Sequence, residues 1–353
     1  MSVRAGWLEQ RQESLARRLA LAPLVPAAWI YAACAGAHRA LYEQGVRAPR
    51  KLPCRVVSVG NLVVGGTAKT PLAAWIADSL HRRGRKVVLA SRGYRRAGDD
   101  PVYVVSDGRH VCGRVERAGD EPMLLAAHAP GVPVLVGRDR GIVGLRAHSL
   151  FGADVIVLDD GFQHHRLARD VDVLMFDGGL GLGNRRVLPR GPLREPLCAL
   201  RRADAIGVVD GPLPDTDESL LARRARRAYR FCARRRPAAL RPLAGGSGMP
   251  PQMLDGAELG LLAALAQPRG FRRTLEALGA KVVAERVFRD HHAYRPADLR
   301  HLAREAPLWV TTEKDAVKIT PAWVGKADVR VLSIELAIER AGDLLDWLEE
   351  RLR

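Results

Sequence analysis

The sequence predicts a doubly wound α/β fold. Its parallel sheet carries a second, smaller α/β domain and follows an N-terminal helical segment at a membrane surface. Three observations predict this. Short apolar runs at Val56–Val59, Val155–Leu158 and Val171–Phe176 read as strands buried on both faces. Helical patterns alternate with them, as at Lys69–Arg83 and Asp139–Leu150, and such alternation belongs to parallel sheets. The first strand enters a glycine-rich loop that ends in Lys69-Thr70 at a helix start, the layout of a phosphate-binding loop.

In chain order, the segment Leu19–Ala37, LALAPLVPAAWIYAACAGA, comes first. It carries no charge and approaches the length of a bilayer span, but Pro23 and Pro26 interrupt it. Arg11, Arg17 and Arg18 precede it; His38, Arg39, Arg47, Arg50 and Lys51 follow. Positive charge on both flanks sets no orientation across a bilayer. The favoured reading is an interfacial bent helix or helical hairpin, with its Arg residues on anionic lipid. A helix packed on the protein's own core, a span and a cleaved signal remain alternatives. Next come strand Val56–Val59, helix Lys69–Arg83, strand Lys86–Ala90, a hairpin over 101–117, helix Asp120–Ala129, strand Pro133–Val136 and helix Asp139–Leu150. Strands Val155–Leu158, Val171–Phe176 and Ala205–Val209 enclose an aperiodic Gly/Pro/Arg loop at 178–197. An Arg-rich run at 222–237 and a Pro/Gly-rich stretch at 242–251 mark the domain junction. Strands at Leu259–Leu265, Lys281–Val287, Leu308–Thr312 and Val329–Ile334 follow, with helices Arg269–Leu278 and Pro296–Glu305 between them and one at the end. The expected division is thus 1–50 membrane-associated, 51–222 nucleotide core, 223–250 linker and 251–353 smaller domain.

The 353 residues suffice for two domains, and 47% hydrophobic content supports buried cores. A net charge of +17 points to a polyanionic partner: nucleic acid, an anionic bilayer or a phosphorylated substrate. Aromatics are 5% and never interleave with the basic runs, which argues against nucleic acid. An Arg bias of genomic origin is the plainer reading of the charge. Cys34, Cys54, Cys112, Cys198 and Cys232 are widely spaced without a CxxC, which suits a reducing compartment.

Four motifs carry chemistry. In VVSVGNLVVGGTAKTP, residues 56–71, loop amides and a helix N-terminus form a phosphate cradle. Lys69 would reach the β and γ phosphates of a nucleotide, and the Thr70 hydroxyl would hold Mg²⁺. The strict GxxxxGK[ST] pattern fails, with Val63 at its first glycine and Ala68 at its last; Gly65 and Gly66 supply the flexibility. In VIVLDDGFQHHR, residues 155–166, a strand ends in Asp159-Asp160, the shape of a metal-holding Walker B element. Third are polar clusters: Arg92-Gly93-Tyr94, Gly119-Asp120-Glu121 and Asp290-His291-His292. Asp120 reads equally as a helix cap. The histidines, with His164 and His165, lack zinc spacing. Fourth, Arg186, Arg190 and Arg194 in RVLPRGPLREP form either a phosphate clamp or a solvated basic loop. Together the first two motifs make the fold P-loop NTPase-like.

These stretches together resemble the tetraacyldisaccharide 4′-kinase family, the lipid A 4′-kinases. The resemblance rests on VGNLVVGGTAKTP, LASRGYRR, AGDEPMLLA, VIVLDDGFQHHRL, VLPRGPLREP, FRDHHAY and VTTEKDAVK, in that order along nearly the whole chain. It implies ATP-dependent phosphorylation of the 4′-hydroxyl of a tetraacylated glucosamine disaccharide 1-phosphate, with Mg²⁺, at the cytoplasmic face of the inner membrane. No nucleic acid or protein partner is expected. By the same resemblance Asp120 is the general base, oriented by His291 from the second domain, and Lys69 the third catalytic group. Gly65, Gly66, Thr67, Ala68, Lys69, Thr70 and Pro71 cradle the nucleotide, with Glu313 and Lys314 beside it. Thr70, Asp159, Asp160 and Glu195 surround Mg²⁺. Arg92, Gly93, Tyr94, Gln163, His164 and Arg194 face the lipid sugar. Ala68 stands where the family usually has glycine. Two rivals use the same loop: an ATP-dependent ligase of soluble substrates, and a membrane-recruited nucleotide switch.

Overall fold

The computed structural model describes residues 13–93, 96–265 and 268–353. The chain divides into two units, one being Arg236–Glu335 and the other the residues up to Arg235 together with Leu336–Arg353.

The larger unit begins with two helices, α1 (Leu15–Ala20) and α2 (Leu24–Glu43), joined by a turn. Pro23 caps α2 and Pro26 lies in its first turn, where a missing N–H costs no helical bond. The expected bend is therefore a break before a 20-residue helix. No described helix is long and apolar enough to cross a membrane.

The sheet of this unit contains β1 (Arg55–Gly60), β2 (Val87–Ser91), β3 (Tyr103–Ser106), β4 (Val134–Val136), β5 (Val155–Asp159), β6 (Val171–Asp177), β7 (Ala205–Val209) and the start of β8 (Tyr229–Pro242). Their order is β8-β7-β6-β1-β5-β2-β4-β3, parallel except for β3 against β4. Alternate residues of a strand face opposite sides. Val57 and Val59 face α3 (Lys69–Arg82) and α5 (Asp120–His128), which follows the short α4 (Val115–Ala118). Val56, Val88 and Ile156 face α6 (Arg140–Phe151) through Val143 and Ala147. Helices on both faces make the sheet doubly wound, as the continuous apolar strands predict. Helix α7 (Asp215–Arg224) packs Leu221 on Leu174, Phe176 and Ile206.

The smaller unit has four parallel strands in the order β10-β9-β11-β12: β9 (Glu258–Ala263), β10 (Lys281–Val287), β11 (Leu308–Thr312) and the first part of β12 (Asp328–Ile338). One face is covered by α8 (Pro268–Ala277) through Phe271 and Leu275. On the other, Trp309 packs among Tyr294, Leu299 and Leu302 and donates its indole N–H to the Leu302 carbonyl at 2.8 Å.

Three expectations need correction. The stretch 223–250 is not a linker. It holds the end of α7 and the 14-residue β8, whose side chains alternate inward (Phe231, Ala233) and outward (Arg230, Cys232, Arg234). The terminal helix α11 (Ala341–Arg351) belongs to the larger unit. Its Leu344, Leu345 and Leu348 join that core, Trp347 stacks on Tyr229 with ring centres 5.1 Å apart, and Asp346 and Glu349 pair with Arg83. The helix expected at Pro296–Glu305 is interrupted: His301 takes a left-handed conformation (φ 64°) between a 3₁₀ turn and the short α9 (Leu302–Glu305).

Candidate active site

The site of the larger unit forms at the carboxyl ends of β1 and β5, where ligands bind in open α/β sheets. β1 ends at Gly60, and a Cβ there would meet the Cβ of Phe162 at 2.6 Å. The bare glycine thus lets the DDGFQ segment lie against the phosphate loop. Gly65 takes φ 141°, open to glycine. Ala68 takes φ 57° and ψ 25°, the left-handed conformation, and caps α3. The position that departs from the glycine pattern is therefore one where a methyl group is strained.

Helix α3 begins at Lys69, so its first free N–H groups and positive dipole end face the loop. The Lys69 side chain is 13% exposed, and its ammonium lies 4.0 Å from Asp160. Burial opposes its charge, but Asp159, Asp160 and Glu121 outweigh burial and hold its pKa above the ordinary lysine value. The Thr70 hydroxyl donates to both oxygens of Asp159, at 3.2 and 3.1 Å. Asp159 is fully buried; burial, only partly offset by Lys69, pushes its carboxyl up to about 7. Asp160 goes the other way: Lys69 and Arg194 overcome burial and lower it. Arg194 grips Asp160 with two bonds of 2.8 and 3.0 Å. Two adjacent carboxylates thus differ in electrostatics, one fully buried and bonded to a hydroxyl, the other clamped between cations.

The loop is held from several sides. Asn61 donates to Thr67 Oγ1 at 3.0 Å, Gln163 donates to the Asn61 carbonyl at 3.1 Å, and Arg235, paired with Asp177 and Asp210, donates to the Gly66 carbonyl at 3.3 Å. Asp120, 8% exposed, opens α5 with one carboxylate oxygen on the Glu121 N–H at 3.1 Å.

Next to these carboxylates is a cationic group. Arg140 is 5% exposed; burial and then the nearby Arg92 lower its pKa. Burial, followed by the field of Arg140, pushes His164 down to about 4. Arg140 Nε and His164 Nε2 are buried and have no hydrogen-bond partner among the described residues. Such buried, underused donors suit an anionic ligand.

This geometry accommodates a nucleotide with a cation on one side and an anionic acceptor substrate on the other. The sequence profile of the tetraacyldisaccharide-1-P 4′-kinase (LpxK) family matches residues 20–353. The chain belongs to this family. It is 42% identical to the tetraacyldisaccharide 4′-kinase of Anaeromyxobacter dehalogenans (strain 2CP-C), over 97% of this chain and 93% of that protein. It is 39% identical to that of Dechloromonas aromatica (strain RCB), over 98% and 96%. Among solved structures, it matches the crystal structure of the "apo" form of LpxK from Aquifex aeolicus in complex with ATP with a TM-score of 0.78 and 30% identity, covering 95% of this chain and 100% of that one.

The structure thus brings together Lys69, Thr70, Asp159, Asp160 and Arg194, and sets Arg92 near Arg140, whose field reaches His164. Arg194, expected at the lipid sugar, has its guanidinium on Asp160. Glu195, expected with the metal ligands, is 2% exposed and has both oxygens on Arg202 at 2.9 Å, with His165 at 3.7 Å. A carboxylate buried so deeply takes a fixed guanidinium. In the smaller unit, Glu313 accepts from the Ile334 N–H at 3.1 Å, and Lys314 lies 3.0 Å from Asp290 and 3.3 Å from His291 Nε2. Tyr94 lies outside the described residues. Sequence reading missed Arg140, Asn61 and Arg235, and named Glu121 in a polar cluster without giving it a role. Only Asn61 and Glu121 carried a signal, their place inside motifs; Arg140 and Arg235 matter through burial and long-range pairing.

Proposed function

We infer that this chain transfers the γ-phosphoryl group of ATP to the 4′-hydroxyl of a tetraacyldisaccharide 1-phosphate, the 4′-phosphorylation step of lipid A biosynthesis. The observation that carries it is the group Lys69, Thr70, Asp159 and Asp160 at the mouth of the glycine loop, in a chain of this family.

Phosphoryl transfer needs mainly positioning and charge neutralisation. The backbone N–H groups of residues 65–70 and the Lys69 ammonium hold the β and γ phosphates. Thr70 and Asp159 fit a Mg²⁺ ion. They are an all-oxygen pair already in contact, and Mg²⁺ bound with ATP takes few protein oxygens. Among the described residues no group of three His, Cys, Asp or Glu forms a metal cage, and such an ion does not need one. When bound, it neutralises charge on the β and γ phosphates. Asp120 takes the proton of the attacking sugar hydroxyl. His291 is the second catalytic candidate, held inside its own unit by Lys314 and Asp290. Arg92, Arg140, Gln163 and His164 receive the anionic end of the disaccharide.

The lipid is presented by α1 and α2. Outward, α2 exposes Trp29 and Ile30 at 70 and 66%, and α1 exposes Leu15 and Leu19. Val25, Ala28, Ala32 and one side of Trp29 line a cleft of about 390 Å³ whose other wall holds Val187, Leu193 and Leu197 with Arg185, Arg186 and Arg190. Arg190 is paired with Glu13 and Arg185 with Asp217; the apolar lining suits acyl chains, and Arg186 an anionic headgroup. The outer face rests in the headgroup region of the inner membrane's cytoplasmic leaflet.

The test is transfer of label from γ-labelled ATP to the detergent-solubilised disaccharide, with Lys69→Ala as control. Labelled lipid that depends on Lys69 supports the reading. Lys69-dependent ATP hydrolysis without labelled lipid refutes it in favour of a nucleotide switch.

A further inference from the structure

We propose that Tyr31 is a positioning residue for nucleotide binding: its hydroxyl fixes the Arg194 peptide and, through it, the Arg194–Asp160 pair that frees Lys69 for the phosphates. The proposal deepens the kinase reading and rests on Lys69 being the nucleotide lysine.

Residues 192–194 are clipped to the phosphate loop. The Val64 N–H donates to the Pro192 carbonyl at 2.9 Å, Leu193 bridges Val63, and the Arg194 N–H donates to the Leu62 carbonyl at 2.8 Å. The other end of residue 194 is held by α2: the Tyr31 hydroxyl donates to the Arg194 carbonyl at 2.8 Å across 163 residues of sequence. Residue 194 is thus pinned from two directions, and between these pins its guanidinium grips Asp160.

The arrangement solves an electrostatic problem. Lys69 lies 4.0 Å from Asp160 and must turn from it to bind phosphate. A partly buried carboxylate left without a cation would oppose that turn. Arg194, already on both oxygens, supplies the charge that Lys69 withdraws. Removing the Tyr31 hydroxyl loosens the Arg194 peptide, weakens the grip on Asp160 and ties Lys69 more strongly to it. Tyr31 follows Trp29 and Ile30, the exposed large apolar residues of α2, so the helix that meets lipid also bonds to the segment clipped to the nucleotide loop.

The experiment is calorimetric titration of ATP with Mg²⁺ into the lipid-free full-length protein. The variants are Lys69→Ala, Tyr31→Phe, Arg194→Lys, the double variant Tyr31→Phe/Arg194→Lys, and Arg39→Lys, which alters another inward contact of α2, that with Cys198. Tyr31→Phe is expected to weaken ATP binding roughly 3- to 10-fold, the worth of one hydrogen bond. The KM for ATP rises equally while kcat stays near wild type. The double variant binds no more weakly than Arg194→Lys alone, because both changes act through one pair. Arg39→Lys binds as wild type. Wild-type affinity in Tyr31→Phe, additive losses in the double variant, or an equal loss in Arg39→Lys would each overturn the proposal. ATP binding indifferent to Lys69→Ala would overturn the nucleotide reading itself, and the two failures are told apart by that control.

Discussion

Ala68 shows how one side chain can stand against its backbone. A left-handed residue with a Cβ is strained by about 1–2 kcal/mol, and glycine is not. Ala68→Gly removes that strain but adds freedom to the unfolded chain. The expected net is a rise in Tm of about 2 °C in a thermal melt; a fall would mean that the buried methyl's packing outweighs the strain. Asp120 tests the chemistry. Asp120→Asn keeps its size and its bond to the α5 start, so kcat is expected to drop roughly 10²- to 10⁴-fold with ATP affinity unchanged. His165 sets a pH dependence. Burial, then Arg202 and Arg169, push its pKa down to about 3, while Arg202 neutralises the adjacent Glu195. The native imidazole stays neutral as the unfolded one protonates below pH 6.5. Its contribution is therefore complete above pH 6.5 and is lost as pH falls toward 3, with about 2 kcal/mol gone by pH 5. Chemical denaturation from pH 7 to pH 5 should show a shallower loss in His165→Gln than in wild type.

Among the elements, α2 ties the outer surface to the site. Its inner face bonds Tyr31 to Arg194 and Arg39 to Cys198, and packs His38 and Tyr42 against His165. On its outer face Trp29 and Ile30 are 70 and 66% exposed among the described residues. The double change Trp29→Glu/Ile30→Glu is therefore expected to leave Tm within about 1 °C, as surface substitutions do. It should abolish co-sedimentation with anionic vesicles; retained sedimentation would contradict interfacial binding. Elements also mark where sequence was legible. The strand–loop–helix at 56–70 and the strand ending in Asp159-Asp160 were readable because local pattern and function coincide there. Strand β8 was hidden by its arginines: the outward half of a period-two pattern looked like a charge run. Helix α11 was visible as a helix, but amphipathicity does not name the surface that it covers. Arg194 was visible as a candidate phosphate clamp, whereas its partner Asp160 follows from the bridge between 192–194 and 62–64, which no local pattern reveals.

At the scale of the whole molecule, the net charge of +17 matches the proposed reaction, whose ATP, phosphorylated glycolipid and proposed anionic leaflet are all negative. Vesicle binding should then fall steeply between about 0.1 M and 1 M salt, as the screening length shrinks from about 10 Å to 3 Å. Binding to neutral vesicles should change little. The measurement that tests the central claim most directly is the position of the new phosphate. Purified protein would be incubated with ATP, Mg²⁺ and tetraacyldisaccharide 1-phosphate, and the lipid analysed by phosphorus NMR and mass spectrometry. The account predicts one added phosphate monoester, on the 4′ carbon, absent with Lys69→Ala. Phosphate on any other position, or unmodified lipid while ATP is consumed, would contradict it.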